Sequence, residues 1–120
     1  KKLNDSLGHD KGDLVLSKGG EIMQNVVRKQ DLVARWGGEE FVIYLPNTDK
    51  HGAGILAEKL RLTLTETLSS LLDYTFTSSI GVAQSNNNET FTECLKRADI
   101  ALYSAKESGR NCVVLAPQHA

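Results

Sequence analysis

The chain has 120 residues, with 14 Lys and Arg against 15 Asp and Glu and a formal net charge of −1. That length suits one ordinary domain with its own core, and the charge balance argues against a general nucleic-acid binder. At 40% hydrophobic and 24% charged residues disorder is disfavoured, no apolar run reaches the ~20 residues of a membrane span, and the polar residues after Lys1-Lys2 do not form a signal peptide.

The first ten residues are polar and turn-like. From Gly12 a helical period begins, with Val15, Gly19, Ile22 and Val26 in one row and Leu16, Gly20, Met23 and Val27 beside it, ending near Arg28. Gly19 and Gly20 each cost about 1 kcal/mol relative to alanine inside a helix, so a closely packed neighbour is expected there. Leu32 to Trp36 reads as a strand. Gly37-Gly38 supplies the positive φ angles of a two-residue hairpin turn. Glu39 to Leu45 is the return strand, closed by Pro46, and its run Phe41 to Leu45 is apolar on both faces, which predicts cover on both sides.

Thr48 or Asp49 can cap the next helix, whose stripe is Ala53, Leu56, Ala57, Leu60, Leu64 and Leu68. After a connection at Leu71 to Asp73, the alternation of Tyr74, Phe76, Ser78, Ile80 and Val82 predicts a strand. Thr90 to Glu93 has the form of a capping box. Phe91, Cys94, Leu95, Ala98, Ala101, Leu102 and Ala105 follow at helical spacing, and Gly109 is a natural stop. Cys112 to Leu115 is a short last strand. Cys94 and Cys112 fit neither a disulfide framework nor a metal-ligand spacing, and read as free thiols in a reducing cytoplasm. The element order predicts an α/β fold, a mixed central sheet flanked by helices. Because the chain opens on a loop and helix, a first, central strand is expected to be absent from it, residues 1–120 forming one domain without that strand.

Four local features can carry chemistry. Gly37-Gly38-Glu39-Glu40-Phe41 puts two glycines at a hairpin tip, open to close approach of another molecule, followed by two carboxylates that alternation sends to opposite faces. Carboxylate oxygens are hard ligands that suit Mg²⁺; the same pattern also suits a plain solvated hairpin. Lys106 and Arg110, four apart at a helix end, suit a polyphosphate clamp or the helix dipole. Asn4, His9 and Asp13, with Lys1, can read the hydrogen-bonding edge of guanine, or cap a helix. Arg28-Lys29-Gln30-Asp31 is, alone, a surface charge cluster.

Together and in this order these features resemble the GGDEF family, the diguanylate cyclases. The resemblance runs from Lys1 to about Leu115. It is carried by Lys1-Lys2-Leu3-Asn4-Asp5, Gly8-His9, Gly12-Asp13, Gly37-Gly38-Glu39-Glu40-Phe41, Ser79-Ile80-Gly81-Val82, Arg97-Ala98-Asp99 with Ala101-Leu102-Tyr103, and Lys106 through Asn111. The Glu at the third signature position is a common active variant. The resemblance implies a palm-like, nucleotide-cyclase-type fold with a ferredoxin-like core. It implies condensation of two GTP molecules into cyclic di-GMP with release of two pyrophosphates, by a homodimer in which each domain holds one GTP.

The same resemblance implies residue roles. Asn4 and Asp13 would recognise guanine with His9 beside them, and Lys1 would stabilise charge on the reacting phosphate. Glu39 would bind Mg²⁺, or Mn²⁺ in its place, with a catalytic part in accepting the 3′-hydroxyl proton, and Glu40 would lie near the metals or the ribose. Gly37 and Gly38 would let the nucleotide lie against the hairpin, and Lys106 and Arg110 would hold the outer phosphates. Arg28 lies nine residues before Gly37, matching the family's inhibitory RxxD element, so Arg28 and Asp31 would bind cyclic di-GMP as an inhibitor. The family's second inhibitory arginine aligns with Lys59. The family also carries a metal-binding aspartate just before the position of Lys1, which this chain begins too late to include. A cytoplasmic location follows, with no nucleic acid and no membrane contact by this domain.

Two other readings stand beside the cyclase: a catalytically silent GGDEF module that binds GTP or cyclic di-GMP, and a related palm-like cyclase making a monocyclic product. The intact signature favours the cyclase over the silent module. The paired hairpin glycines and the Arg28/Asp31 element count against the monocyclic product.

Overall fold

The structure, a computed structural model, describes residues 9–38 and 40–117. In chain order the elements are α1 (His9–Val26), β1 (Leu32–Gly37), β2 (Glu40–Tyr44), α2 (Lys50–Leu72), β3 (Ile80–Val82), α3 (Phe91–Glu107) and β4 (Val113–Leu115). The α/β class and the order of elements are as the sequence predicts. The described strands form two two-stranded ladders, β1 with β2 antiparallel and β3 with β4 parallel. They belong to two compact units, Lys1–Pro46 with Thr63–Phe76, and Asn47–Leu62 with Thr77–Ala120. Among the described residues no helix is long and apolar enough to cross a membrane.

In the first unit α1 buries Gly12, Val15, Gly19 and Met23 on one row, with Leu16 and Ile22 half-buried beside it. A Cβ at Gly20 would sit 3.5 Å from the Phe41 ring, an ordinary contact, and one at Gly19 would meet only Met23 of the same helix. Among the described residues the crowding expected at the two glycines is therefore a contact at Gly20, and no other element comes within 4 Å of an added Cβ at the buried Gly19. The hairpin pairs Leu32 with Tyr44 through Arg35 with Phe41, then Gly37 with Glu40, leaving Trp36 as the extra residue of a β-bulge. That bulge moves the turn one residue later than expected. Gly37 is a paired strand residue, and of the two glycines only Gly38 has a positive φ, +52°.

Among the described residues the cover on the return strand is partial: Phe41, Val42, Ile43 and Leu45 are half-buried. Tyr44 is 52% exposed, and on the opposite strand Leu32 and Trp36 are exposed as well. An antiparallel pair can leave one face to solvent, here that of Leu32 and Tyr44, while α1 lies against the face of Phe41.

The long strand expected from Tyr74 is cut to Ile80–Val82. Asp73 turns the chain at φ +54°. The Tyr74 N–H then donates to the Ser69 carbonyl, and the Phe76 N–H donates to Ser69 Oγ at 2.7 Å. These local bonds occupy donors that a ladder would need.

In the second unit Asp49 caps α2, its Oδ1 accepting from the Gly52 N–H at 2.9 Å. The capping box on α3 is complete: Thr90 Oγ1 accepts from the Glu93 N–H, and Glu93 Oε1 accepts from the Thr90 N–H. Ala57, Leu60, Ala101, Ala105 and Ala116 are buried. Phe91, expected in the α3 stripe, is 56% exposed because it stands at the first residue of the helix. β3, α3 and β4 make a parallel βαβ unit in which the α3 backbone lies directly on Gly81. The guanidinium of Arg97 is buried in the same row as Ala101 and Ala105. It donates to both carboxylate oxygens of Glu89 and to the carbonyls of Gln84 and Pro117, so the buried charge is paired and hydrogen-bonded.

Candidate functional site

In the first unit the hairpin tip is open: a Cβ at Gly37 or at Gly38 would meet nothing within 4 Å. The tip is tied back by Arg35, whose Nε and Nη2 donate to the Gly38 carbonyl at 3.0 and 2.8 Å. Two bonds from a planar fork to one oxygen fix the turn. The unpaired residue at Trp36 increases the local twist beside it. Glu40 opens β2 with an exposed side chain, and Asp13 is exposed on the first turns of α1. His9 is the first residue of α1, but its side chain, with Lys1, Asn4 and Glu39, lies outside the described residues.

At the other end of α1, Arg28 and Asp31 clasp each other. Arg28 Nε donates to Asp31 Oδ2 at 3.0 Å, Nη2 to Oδ1 at 2.8 Å, and the Arg28 backbone N–H to Oδ2 at 2.8 Å. Nη2 also reaches the Pro46 carbonyl at 3.1 Å. The Asp31 side chain is fully buried and that of Arg28 is 43% exposed. Hydrogen bonds from Arg28 hold the Asp31 carboxyl below the usual carboxylate range, and the same bonds raise the pKa of Arg28. By sequence alone Arg28 and Asp31 belong to a surface charge cluster. In the structure Asp31 is turned inward and orients Arg28.

In the second unit Lys106 and Arg110 are exposed at the end of α3 and in the turn that follows it. Among the described residues neither side chain is hydrogen-bonded or ion-paired. Gly109 stops the helix at φ +113°, as expected, and Arg110 and Asn111 continue in the left-handed region at +65° and +51°. A run of this kind at non-glycine residues stores strain. Asn111 is held by Arg61 on α2, a residue the sequence did not single out. Only the spacing of Arg61 three after Glu58 hinted at an anchored side chain.

The structure thus gathers Gly37, Gly38 and Glu40 on the hairpin, pairs Arg28 with Asp31, and sets Lys106 at the end of α3 with Arg110 in the turn that follows; Asp13 makes no hydrogen bond to another of these among the described residues. Among the described residues no group of three or more His, Cys, Asp and Glu side chains could hold a metal ion. The carboxylate that the resemblance assigns to the metal, Glu39, lies outside them.

The family model "Diguanylate cyclase, GGDEF domain" matches residues 1–112. The chain belongs to the GGDEF family. Diguanylate cyclase DgcM of Escherichia coli K12 is 48% identical over 116 residues, which are 97% of this chain and 28% of DgcM. The chain therefore spans little more than a quarter of that relative. Among solved structures, the active GGEEF domain of a diguanylate cyclase from Vibrio cholerae is 35% identical with a TM-score of 0.89. It covers 98% of this chain and 76% of that one. The GGDEF domain of DgcB from Caulobacter crescentus, in complex with c-di-GMP, is 29% identical with a TM-score of 0.87, over 96% of this chain and 70% of that one. The fold expected from the GGDEF resemblance is the fold found.

Proposed function

We propose that this chain is a diguanylate cyclase domain that condenses two GTP molecules into cyclic di-GMP and releases two pyrophosphates, as a homodimer with one GTP on each domain. The observation that carries this reading is the intact Gly37-Gly38-Glu39-Glu40-Phe41 signature on a hairpin at whose two glycines no described residue packs within 4 Å of an added Cβ. Asn4, His9 and Asp13 select guanine. Gly37 and Gly38 let the nucleotide lie along the hairpin, and Arg35 holds that surface in place. Lys106 and Arg110 neutralise the outer phosphates, while Lys1 stabilises charge on the reacting one. Glu39 accepts the 3′-hydroxyl proton and, with Glu40 near, supplies a hard carboxylate oxygen for Mg²⁺ or Mn²⁺. When bound, that ion polarises the phosphoryl group and lowers the pKa of the attacking hydroxyl. The domain works in the cytoplasm, without nucleic acid.

The test is nucleotide choice in the full-length protein with Mg²⁺. A carboxylate that accepts from the guanine N1–H and N2–H finds no such donors on adenine, and unpaired site groups reject an analogue by large factors. GTP is expected to be consumed and ATP left; equal use of both would contradict the guanine pocket.

The Arg28–Asp31 clasp supports a second part of the reading: cyclic di-GMP binds there and inhibits. A planar guanidinium held by a buried carboxylate is preorganised to take a phosphate or stack on a guanine face. With added cyclic di-GMP, Arg28→Ala is expected to keep turning over GTP where the unmutated protein slows. Its initial rate before product accumulates should stay near that of the unmutated protein. Progress curves of the two proteins decide this, and equal inhibition would leave Arg28 as surface charge.

A further inference from the structure

Arg110 sits in a backbone conformation that its residue type does not favour. Left-handed φ values are uncommon outside glycine, and Asn is enriched there several-fold while Arg is not. Gly109, Arg110 and Asn111 adopt it in succession, so something outside the turn must hold it. The Arg110 N–H reaches back to the Ala105 carbonyl at 2.9 Å. The Asn111 N–H donates to Ser79 Oγ at 3.2 Å. The strongest tie comes from α2, fifty residues away in sequence: Arg61 Nη1 donates to Asn111 Oδ1 at 2.6 Å and leans on the Asn111 carbonyl at 3.4 Å.

Arg61 is itself fixed. Its Nε donates to Glu58 Oε1 at 2.9 Å and its Nη2 to Glu58 Oε2, and its side chain is only 14% exposed. Those bonds raise the Arg61 pKa and lower that of Glu58. The turn is thus anchored at its last residue by a guanidinium with both edges in use, while the side chain of Arg110 stands in solvent.

We propose that Arg61 is a positioning residue: by clasping Asn111 it holds the Gly109–Asn111 turn in its left-handed course and presents Arg110 to the outer phosphates of a nucleoside triphosphate. This rests on the reading of Arg110 as a phosphate ligand given above. Arg61 does not touch the nucleotide. It sets where the Arg110 fork stands before the nucleotide arrives, so its loss shows in phosphate affinity rather than in base recognition.

The test uses the full-length protein and four variants: Arg61→Met, Asn111→Gly, Arg110→Ala and the Arg61→Met/Arg110→Ala double. Asn111→Gly removes the acceptor but keeps a residue at ease at φ +51°, so the proposal stays testable if Arg61→Met fails to fold. Calorimetric affinities for GTP and for guanosine, which lacks the phosphates, are measured on each. Arg61→Met and Asn111→Gly are each expected to weaken GTP by about tenfold and to leave guanosine within about twofold. The double variant should bind GTP no more weakly than Arg110→Ala alone, because an anchor without its ligand has nothing left to position. Equal weakening of GTP and guanosine, a lowered melting temperature with GTP affinity intact, or a double variant whose loss multiplies the two single losses would each overturn it. If Arg110→Ala itself binds GTP normally, the phosphate-ligand reading fails, and the role of Arg61 fails with it.

Discussion

In the full-length protein, Glu39→Ala is expected to lower cyclic di-GMP synthesis by at least about 10²–10³-fold, the usual cost of removing one group that stabilises developing charge. The fold should not suffer. Among the described residues the hairpin tip is held only by its own strand: Arg35 bonds the Gly38 carbonyl, a Cβ at Gly37 or Gly38 has no neighbour within 4 Å, and the paired Glu40 is exposed. Removing a side chain there opens no core cavity, unlike a large-to-small change in a packed interior. A GTP turnover assay with Mg²⁺, run beside a thermal melt, separates the two effects. Lost activity with an unchanged melt is the expected pair, and near-normal synthesis would remove Glu39 from the reaction.

Gly81→Ala should act in the opposite way, through the fold. A Cβ at Gly81 would overlap the Ala98 carbonyl and the Leu102 N–H, and would lie 2.9 Å from Leu102 Cα. All three belong to the α3 backbone, which has no rotamer with which to move aside. Either α3 lifts off β3 or the parallel β3–β4 pair distorts. The expected loss is about 3 kcal/mol or more, at the upper end for overpacking. Gly20→Ala is the matching control. Its Cβ would only touch the Phe41 ring, and the helix gains about 1 kcal/mol of propensity. Melting curves are expected to show a large fall for Gly81→Ala and none for Gly20→Ala; similar melts for the two would mean that α3 does not lie on Gly81 as closely as the structure has it.

Periodicity made the helices legible. The Asp49 cap, the Thr90–Glu93 capping box and the Gly109 stop are local devices whose residues sit within a few positions of each other, so each can be read from the chain. Strand lengths were not. Tyr74, Phe76 and Ser78 alternate as a strand should, yet the Phe76 N–H bonds to Ser69 Oγ, a side chain on the preceding helix that alternation cannot reveal. The hairpin turn moved by one residue because Trp36 bulges, and nothing in its residue type marks that.

The candidate site divides in the same way. Signature glycines, carboxylates and terminal cations are legible because the proposed chemistry needs those residue types. Their supports are not, since they come from distant positions: Arg61 to Asn111 spans fifty residues, and the row that buries Ala101 and Ala105 also buries Arg97. Even a local pair hid its geometry. Arg28 and Asp31 belong to a charge cluster in the sequence, and only the folded turn puts Asp31 out of solvent beneath Arg28.

The proposed reaction, which joins two nucleotides held on two copies of the domain, must depend on how many domains meet. The most direct measurement is the initial rate per mole of full-length protein across a dilution series, with product and pyrophosphate counted at each point. The rate per mole is expected to fall on dilution as the pair separates, with one cyclic di-GMP and two pyrophosphates formed for every two GTP consumed. A rate per mole that stays constant into the monomer range, or one monocyclic nucleotide formed for each GTP consumed, would contradict condensation across two domains.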